Sequence, residues 1–295
     1  MTKLRYSIKD LENFTQIKAH TIRIWEQRYG LLSPKRSNTN IRYYNEDDLK
    51  KILNINFLYT KGYKISKIAS LSEIEIINAS KALILVDKGE KQSEIDSLTM
   101  NILEFDGAKI NSFLDAELSK SSIEELYQSV ILPLFEKLGK LWLVNSIDII
   151  HEHYFSNIFK EFLISKISTL NVKSDSLKRA ILFLHANEEH EFSILLYYYI
   201  LKSSGYSCYY FGQNVPIKEI GVAFSQIKPQ IVATTFTAKL NEKNFAKIKK
   251  SLLHFSEKSQ VIVSGSQLNN SDYTFSKDIM QINSITQLKS LLGSN

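Results

Sequence analysis

Apolar residues recur along this chain with two different periods, and the change from one to the other divides it. Ile8, Leu11 and Phe14 fall at helical spacing behind Ser7, a residue suited to cap a helix N-terminus. A second helix is predicted over residues 17–29, with Ile22 and Trp25 on one side, Lys18, Thr21, Arg23 and Arg28 around the rest, and Gly30 at its end. Residues 31–44 read as two short strands around a Ser/Asn/Thr tip. Asn45 then caps a helix to about Lys61, with Glu46, Asp47 and Asp48 at the positive end of its dipole. A short helix over residues 65–71 follows, then one more helix and a connector to about Ile95. From Leu98 to Leu170 helical periodicity persists, as in Ile110, Phe113 and Leu114, and accommodates about four helices with Pro133 interrupting once. Beyond a polar linker at 171–176, apolar runs of strand length (180–184, 207–211, 230–235, 260–264, 279–282) alternate with helices (191–204, 217–227, 241–256, 285–292). That alternation predicts a parallel sheet wrapped by helices, with ligands at the C-terminal edge of its strands.

Charge adds a second division. Residues 1–75 hold 14 Lys+Arg against 8 Asp+Glu, whereas the other 220 of the 295 residues hold 23 of each, so the net charge of +6 belongs to the first quarter. A basic unit on a neutral body is either a solvated surface or a nucleic-acid-binding module attached to a domain with another task. Two short helices joined by a tight turn, the second rich in basic and hydroxyl residues, form the helix-turn-helix pattern whose second helix enters the major groove, and the following basic hairpin forms a wing. In that arrangement Arg23, Arg28, Arg36 and Arg42 contact phosphate, Tyr29 and Tyr43 either pack or donate a hydroxyl to phosphate, and base readout falls to Lys18, Thr21 and His20. Trp25 shares a face with Ile22 and is expected in the core. The 44% hydrophobic and 23% charged composition is that of a folded protein. No apolar run reaches membrane-span length and the first residues lack an apolar signal core, so a cytoplasmic protein with no membrane partner is expected. The lone Cys208 excludes an intrachain disulfide framework, and six histidines without paired-ligand spacing argue against zinc.

Four segments in order, Tyr6-Ser7-Ile8-Lys9-Asp10-Leu11, Thr21 to Leu31 with its Trp-Glu-x-Arg-Tyr-Gly run, Pro34-Lys35-Arg36 and Ile41-Arg42-Tyr43-Tyr44, resemble the winged helix-turn-helix of MerR-family transcription regulators. The Trp-Glu-x-Arg-Tyr-Gly variant is similar to the branch whose C-terminal sensor binds cobalamin, the light- and B12-responsive carotenogenesis repressors among it. The loop after the first apolar strand, His185 to Ser193, resembles the Asp/Glu-x-His-x-x-Gly motif of methionine-synthase-type cobalamin domains, with Glu188 and His190 in the matching places and Ser193 where the family has glycine. The resemblance implies that His190 supplies the lower axial nitrogen to cobalt and that Glu188 accepts a hydrogen bond from its other ring nitrogen. Trp142 followed by Glu152 and His153 has the Trp-x9-Glu-His pattern of the four-helix cap, in which the tryptophan covers the upper face of cobalt and Glu-His lie near an adenosyl group. Leu143 stands where light-sensing relatives carry a histidine that takes the upper cobalt position. Thr235 and Thr237 match hydroxyl residues lining the cofactor's tail pocket, and Gly265 is what remains of a Gly-Gly pair that Ser264 interrupts.

The expected architecture is a multidomain α plus α/β chain: a winged helix-turn-helix over 1–75, a connector over 76–97, a four-helix bundle over 98–172, and a Rossmann-like parallel α/β domain over 177–295. The function implied is a transcriptional regulator, a repressor, that binds double-stranded operator DNA as a homodimer or tetramer and senses adenosylcobalamin or methylcobalamin with or without light. Two alternatives stand beside it: a regulator of the same fold that answers to another ligand or a protein partner, and a subunit of a corrinoid-dependent methyltransferase. No Ser-His-Asp set, cysteine nucleophile or glycine-rich phosphate loop points to catalysis by this chain alone.

Overall fold

The computed structural model describes residues 5–37, 40–84, 91–171, 178–269 and 273–293. Its first elements are α1 (Ile8–Thr15), α2 (Ala19–Tyr29), β1 (Lys35–Arg36), β2 (Arg42–Tyr43), α3 (Glu46–Thr60), α4 (Ile65–Ala69) and α5 (Glu73–Ile84). Ser7 and Asp10 form a capping box at the start of α1, Asn45 and Asp48 another at the start of α3, so each helix starts where its sequence satisfies the orphan N–H groups. Gly30 ends α2 at φ +63°, a left-handed conformation that glycine adopts without strain. β1 and β2 pair antiparallel, Lys35 opposite Tyr43, and form the wing; the tip residues Asn38 and Thr39 lie outside the described residues. One core unites these pieces, built from Leu11, Ile22, Trp25, Tyr44, Ile52 and Ile55 among others.

The helical region comprises α6 (Gln92–Leu103), α7 (Gly107–Leu118), α8 (Ile123–Leu126), α9 (Leu132–Leu143) and α10 (Ile149–Thr169). Helix α6 begins six residues before the expected Leu98, because its first turn buries only Ile95 and presents Ser93 and Asp96 outward. Pro133 does not interrupt the chain. It sits in the first turn of α9 directly after a π-helical turn, Tyr127–Ile131, and the two helices run on through that turn. The chain divides into two compact units, residues 1–156 and 157–295, with the division inside α10.

The second unit alternates strand and helix: β3 (Arg179–Leu182), α11 (Phe192–Ser203), β4 (Ser207–Tyr210), α12 (Ile217–Ile227), β5 (Ile231–Thr235), α13 (Glu242–Ser256), β6 (Gln260–Ser264), β7 (Ile279–Gln281) and α14 (Ile285–Gly293). The sheet is parallel throughout, in the order β4-β3-β5-β6-β7. From β3 the chain steps outward to β4, then returns across to β5. The loops after β3 and β5 therefore open toward one crevice, the topological switch point where such sheets bind ligands.

Candidate functional sites

At that switch point the loop after β3 is folded back by a turn in which the Glu188 N–H donates to the His185 carbonyl, with Asn187 at φ +69°. The turn drives Glu188 inward until its side chain is fully buried. Its Oε1 accepts from the His190 N–H at 3.0 Å and from His190 Nδ1 at 2.7 Å; its Oε2 accepts from the Thr237 N–H at 2.6 Å and the Ala238 N–H at 2.8 Å. Burial alone would raise the carboxyl's pKa, but the four donors outweigh it and hold the group at about 2. Glu188 is thus an anion at every physiological pH. Its charge holds a proton on His190 Nδ1, which leaves Nε2 as the ring nitrogen outside that bond, on an imidazole that is 63% exposed.

Around this pair the C-terminal edge is polar and partly unsatisfied. The hydroxyls of Thr234, Thr235 and Ser264 are buried without a hydrogen-bond partner, as is His185 Nε2, and burial lowers the His185 pKa so that its ring stays neutral. Gly265, at φ +114°, lies so close to β5's continuation that a Cβ there would stand 2.3 Å from the Phe236 carbonyl oxygen. Thr237, expected to line a pocket with its hydroxyl, contributes its backbone N–H to Glu188. Ser193 is half-buried in the first turn of α11. A pre-oriented imidazole, a cluster of unpartnered buried hydroxyls and a glycine at a close approach fit the cobalamin that the sequence resemblance implies.

A second carboxylate here carries no mark in the sequence. Glu191 is buried and binds Lys160 Nζ (2.6 Å), the Tyr210 hydroxyl (2.9 Å) and Gln213 Nε2 (2.6 Å), tying α10, β4 and the following loop together. No local spacing announces it, since its partners lie 31, 19 and 22 positions away.

In the first unit, Glu152 and His153 form an adjacent pair on α10, Nδ1 to Oε2 at 3.0 Å, with the Ser156 hydroxyl donating to the other Glu152 oxygen. Trp142, at the end of α9, packs against the winged-helix core, and the Lys50 ammonium lies 4.8 Å from its ring centroid.

The basic face is built on α2 and the wing. Glu12 of α1 accepts from the Ala19 N–H and pairs with Lys18, fixing the turn between the two helices. Ile22 and Trp25 are buried, while His20, Arg23, Ile24, Gln27 and Arg28 are exposed and Thr21 is half-buried. Ile24, 50% exposed, and Gln27 join the residues expected on this face; their alternation with Ile22 and Trp25 is the signal that marks them. The Glu26 side chain turns inward instead, where it accepts from the Tyr44 hydroxyl and stands 3.8 Å from Arg42. It clamps the wing to α2, and burial followed by this carboxylate raises the Tyr44 pKa. Arg36 bonds Asn40 across the wing tip, the Arg28 guanidinium lies over the Tyr29 ring, and Arg5 lies over Tyr43. Among the described residues no cluster of His, Cys, Asp and Glu could hold a bare metal ion, and no helix is long and apolar enough to cross a membrane.

Comparisons with known proteins bear on both sites. Residues 6–73 match the MerR HTH family regulatory protein model, and residues 94–164 match the B12 binding domain model. The HTH-type transcriptional repressor CarH of Myxococcus xanthus is 23% identical over 250 residues, covering 83% of this chain and 83% of that one. CarA, an HTH-type transcriptional repressor of the same organism, is 23% identical over 265 residues, covering 88% and 85%. Among solved structures, the monomethylamine corrinoid protein of Methanosarcina barkeri superposes with a TM-score of 0.52 at 13% identity, over 70% of this chain and 100% of that one, a likeness of fold.

Proposed function

From a chain that joins a MerR helix-turn-helix domain to a B12-binding domain and is homologous to the CarH and CarA repressors, we propose a repressor that binds operator DNA and senses adenosylcobalamin. The observation that carries the cofactor assignment is the buried Glu188 anion with His190 Nδ1 at 2.7 Å. Cobalamin, when bound, would supply a cobalt centre that takes an imidazole nitrogen. His190 Nε2 would hold it, with Glu188 fixing the tautomer and ring orientation. Thr235, Ser264 and Gly265 would receive the polar tail of the cofactor, whose slot Ser193 narrows by one hydroxymethyl group relative to glycine. Trp142, Glu152 and His153 would belong to the helical cap. Leu143 offers no nitrogen to cobalt.

Titration with adenosylcobalamin, followed by absorbance, tests this. The unaltered chain is expected to give the spectrum of a cofactor whose own base has been replaced by histidine, and His190→Ala to lose both that spectrum and tight binding. An unchanged spectrum in His190→Ala overturns the ligand assignment. A methyltransferase subunit would also bind a corrinoid, but the MerR domain over residues 6–73 favours regulation.

DNA is read by residues 1–75. Arg23, Arg28, Arg36 and Arg42 contact phosphate, and the outward face of α2, which presents His20, Ile24 and Gln27 beside Lys18 and Thr21, contacts bases.

A further inference from the structure

The loop that carries His190 is flanked on both sides. In the sheet order β4-β3-β5 its strand, β3, is the middle one of three parallel strands, so the loops after β4 and β5 stand beside the loop after β3 at one edge. On the β5 side the tie is Glu188, which accepts from the Thr237 and Ala238 N–H groups. On the β4 side the tie is Gln213. Gly212 and Asn214, at φ +77° and +57°, turn the chain on either side of it. Gln213 Nε2 donates to the Glu189 carbonyl at 2.7 Å and to Glu191 Oε2 at 2.6 Å, so one amide group holds the residues immediately before and after His190. Asn214 Oδ1 adds a third bond, accepting from the Asn187 N–H at 2.8 Å.

Glu191 is itself held in place. The Tyr210 hydroxyl donates to Oε1 at 2.9 Å, and the ammonium of Lys160, from the part of α10 that lies in the same compact unit, donates to Oε2 at 2.6 Å. A buried ion pair of this kind contributes little net stability, because desolvation of the charges offsets their attraction and apolar side chains could fill the same space. Its effect here is to aim a carboxylate at Gln213.

We propose that Gln213 and Glu191 are positioning residues for His190: Glu188 sets the ring, and this second clamp sets the backbone that carries it before any cofactor arrives. The proposal rests on the cobalamin reading above. Preorganisation lowers the ordering cost of binding, so its loss weakens affinity while the ligand stays the same.

The test uses the full chain. Gln213 is exposed, and its replacement leaves the core untouched. Gln213→Ala removes size and donors together, Gln213→Glu keeps the size and removes the donors, and Gln213→Lys supplies a donor again. Adenosylcobalamin titrations followed by absorbance are expected to show binding weakened about tenfold in Gln213→Ala, more in Gln213→Glu, and less than about threefold in Gln213→Lys. All three should reach, at saturation, the histidine-bound spectrum that His190→Ala loses. In the cofactor-free chain, amide hydrogen exchange over residues 186–192 is expected to be at least about tenfold faster in Gln213→Ala and Gln213→Glu, with β3 and β5 unchanged. If Gln213→Glu binds as tightly as the unaltered chain, the donors do not matter and the clamp is wrong. It is equally wrong if Gln213→Ala keeps full affinity, or if β3 and β5 exchange faster together with the loop, which marks a role in folding alone. Each of these outcomes leaves the cobalamin reading standing. If the unaltered chain takes up no cobalamin, that reading and the proposal fall together.

Discussion

Glu188 shows how one residue sets both the stability and the chemistry of the α/β unit. Its carboxylate satisfies two backbone N–H groups after β5 and two donors from His190, so Glu188→Ala strips four partners at once. The expected loss is about 3 kcal/mol of stability, read as a lower midpoint in denaturant, with weakened cofactor binding. Acid should act in two stages. His185 is neutral and held below its usual pKa when folded but takes up a proton when unfolded, so stability begins to fall as pH drops through about 6.5. Glu188, lowered to about 2, gives its full contribution above its unfolded value near 4.5 and loses it as pH falls from there toward 2. Denaturant midpoints measured from pH 8 to pH 4 should decline below 6.5 in the unaltered chain, and the decline between 5 and 4 should be shallower in Glu188→Ala. Gly265 makes a simpler case. Gly265→Ala places a Cβ 2.3 Å from a backbone oxygen at φ +114°, and a loss of about 2 kcal/mol or more in the same assay is expected.

At the scale of elements, much of the fold is legible because its determinants are local. Ser7 and Asp10, Asn45 and Asp48, and Gly30 mark helix ends through bonds three or four residues long, and α12 and β6 occupy the residues the periodicity assigns. What the pattern misses is local in appearance and nonlocal in cause. Pro133 has the look of a break, yet the π turn directly before it lets the helical run continue past a residue that has no N–H to give. The partners of Glu188 stand 49 and 50 residues away, brought across by the strand order, and no spacing rule announces them. The resemblance assigns Trp142 to a cofactor cap; its packing on the winged-helix core, beside the buried Asn54 that bonds the Leu143 carbonyl, has no marker in the sequence. Helix α2 illustrates both sides. Its buried stripe, Ile22 and Trp25, is readable, and the exposed Ile24 and Gln27 follow from it once the stripe is fixed. Gln27 has the amide geometry for the adenine edge and Ile24 an apolar surface for a thymine methyl group. Selection of bound sequences from a random pool should therefore lose its preference at one or two positions in Ile24→Ala and Gln27→Ala, each worth about 1–3 kcal/mol of discrimination, with the salt dependence unchanged.

For the whole molecule, the charge layout makes DNA binding a property of the first 75 residues and its strength a property of how many copies engage. With 23 basic and 23 acidic residues elsewhere, the remainder adds no net attraction for phosphate. On the proposed assignment of Arg23, Arg28, Arg36 and Arg42, one module would neutralise about four phosphates and two modules on a palindrome about eight, so log K should fall against log salt with a slope near −7 for a dimer and about half that for a monomer. The arginines are not equal, because Arg42 stands 3.8 Å from the inward-facing Glu26 and shares its charge with that carboxylate. Arg23→Ala or Arg28→Ala should flatten the dimer's slope by about two, since each copy then leaves one phosphate unneutralised, at an affinity cost that is similar across sequences. Arg42→Ala should flatten it less and lower stability more, since it also loosens the clamp between wing and α2. Fluorescence anisotropy of the full chain on a palindromic duplex and on a single half-site, across a salt series, separates these cases. Equal slopes on the two duplexes, with one chain bound on each, would show that a single protomer is the binding unit and remove the dimer from the account.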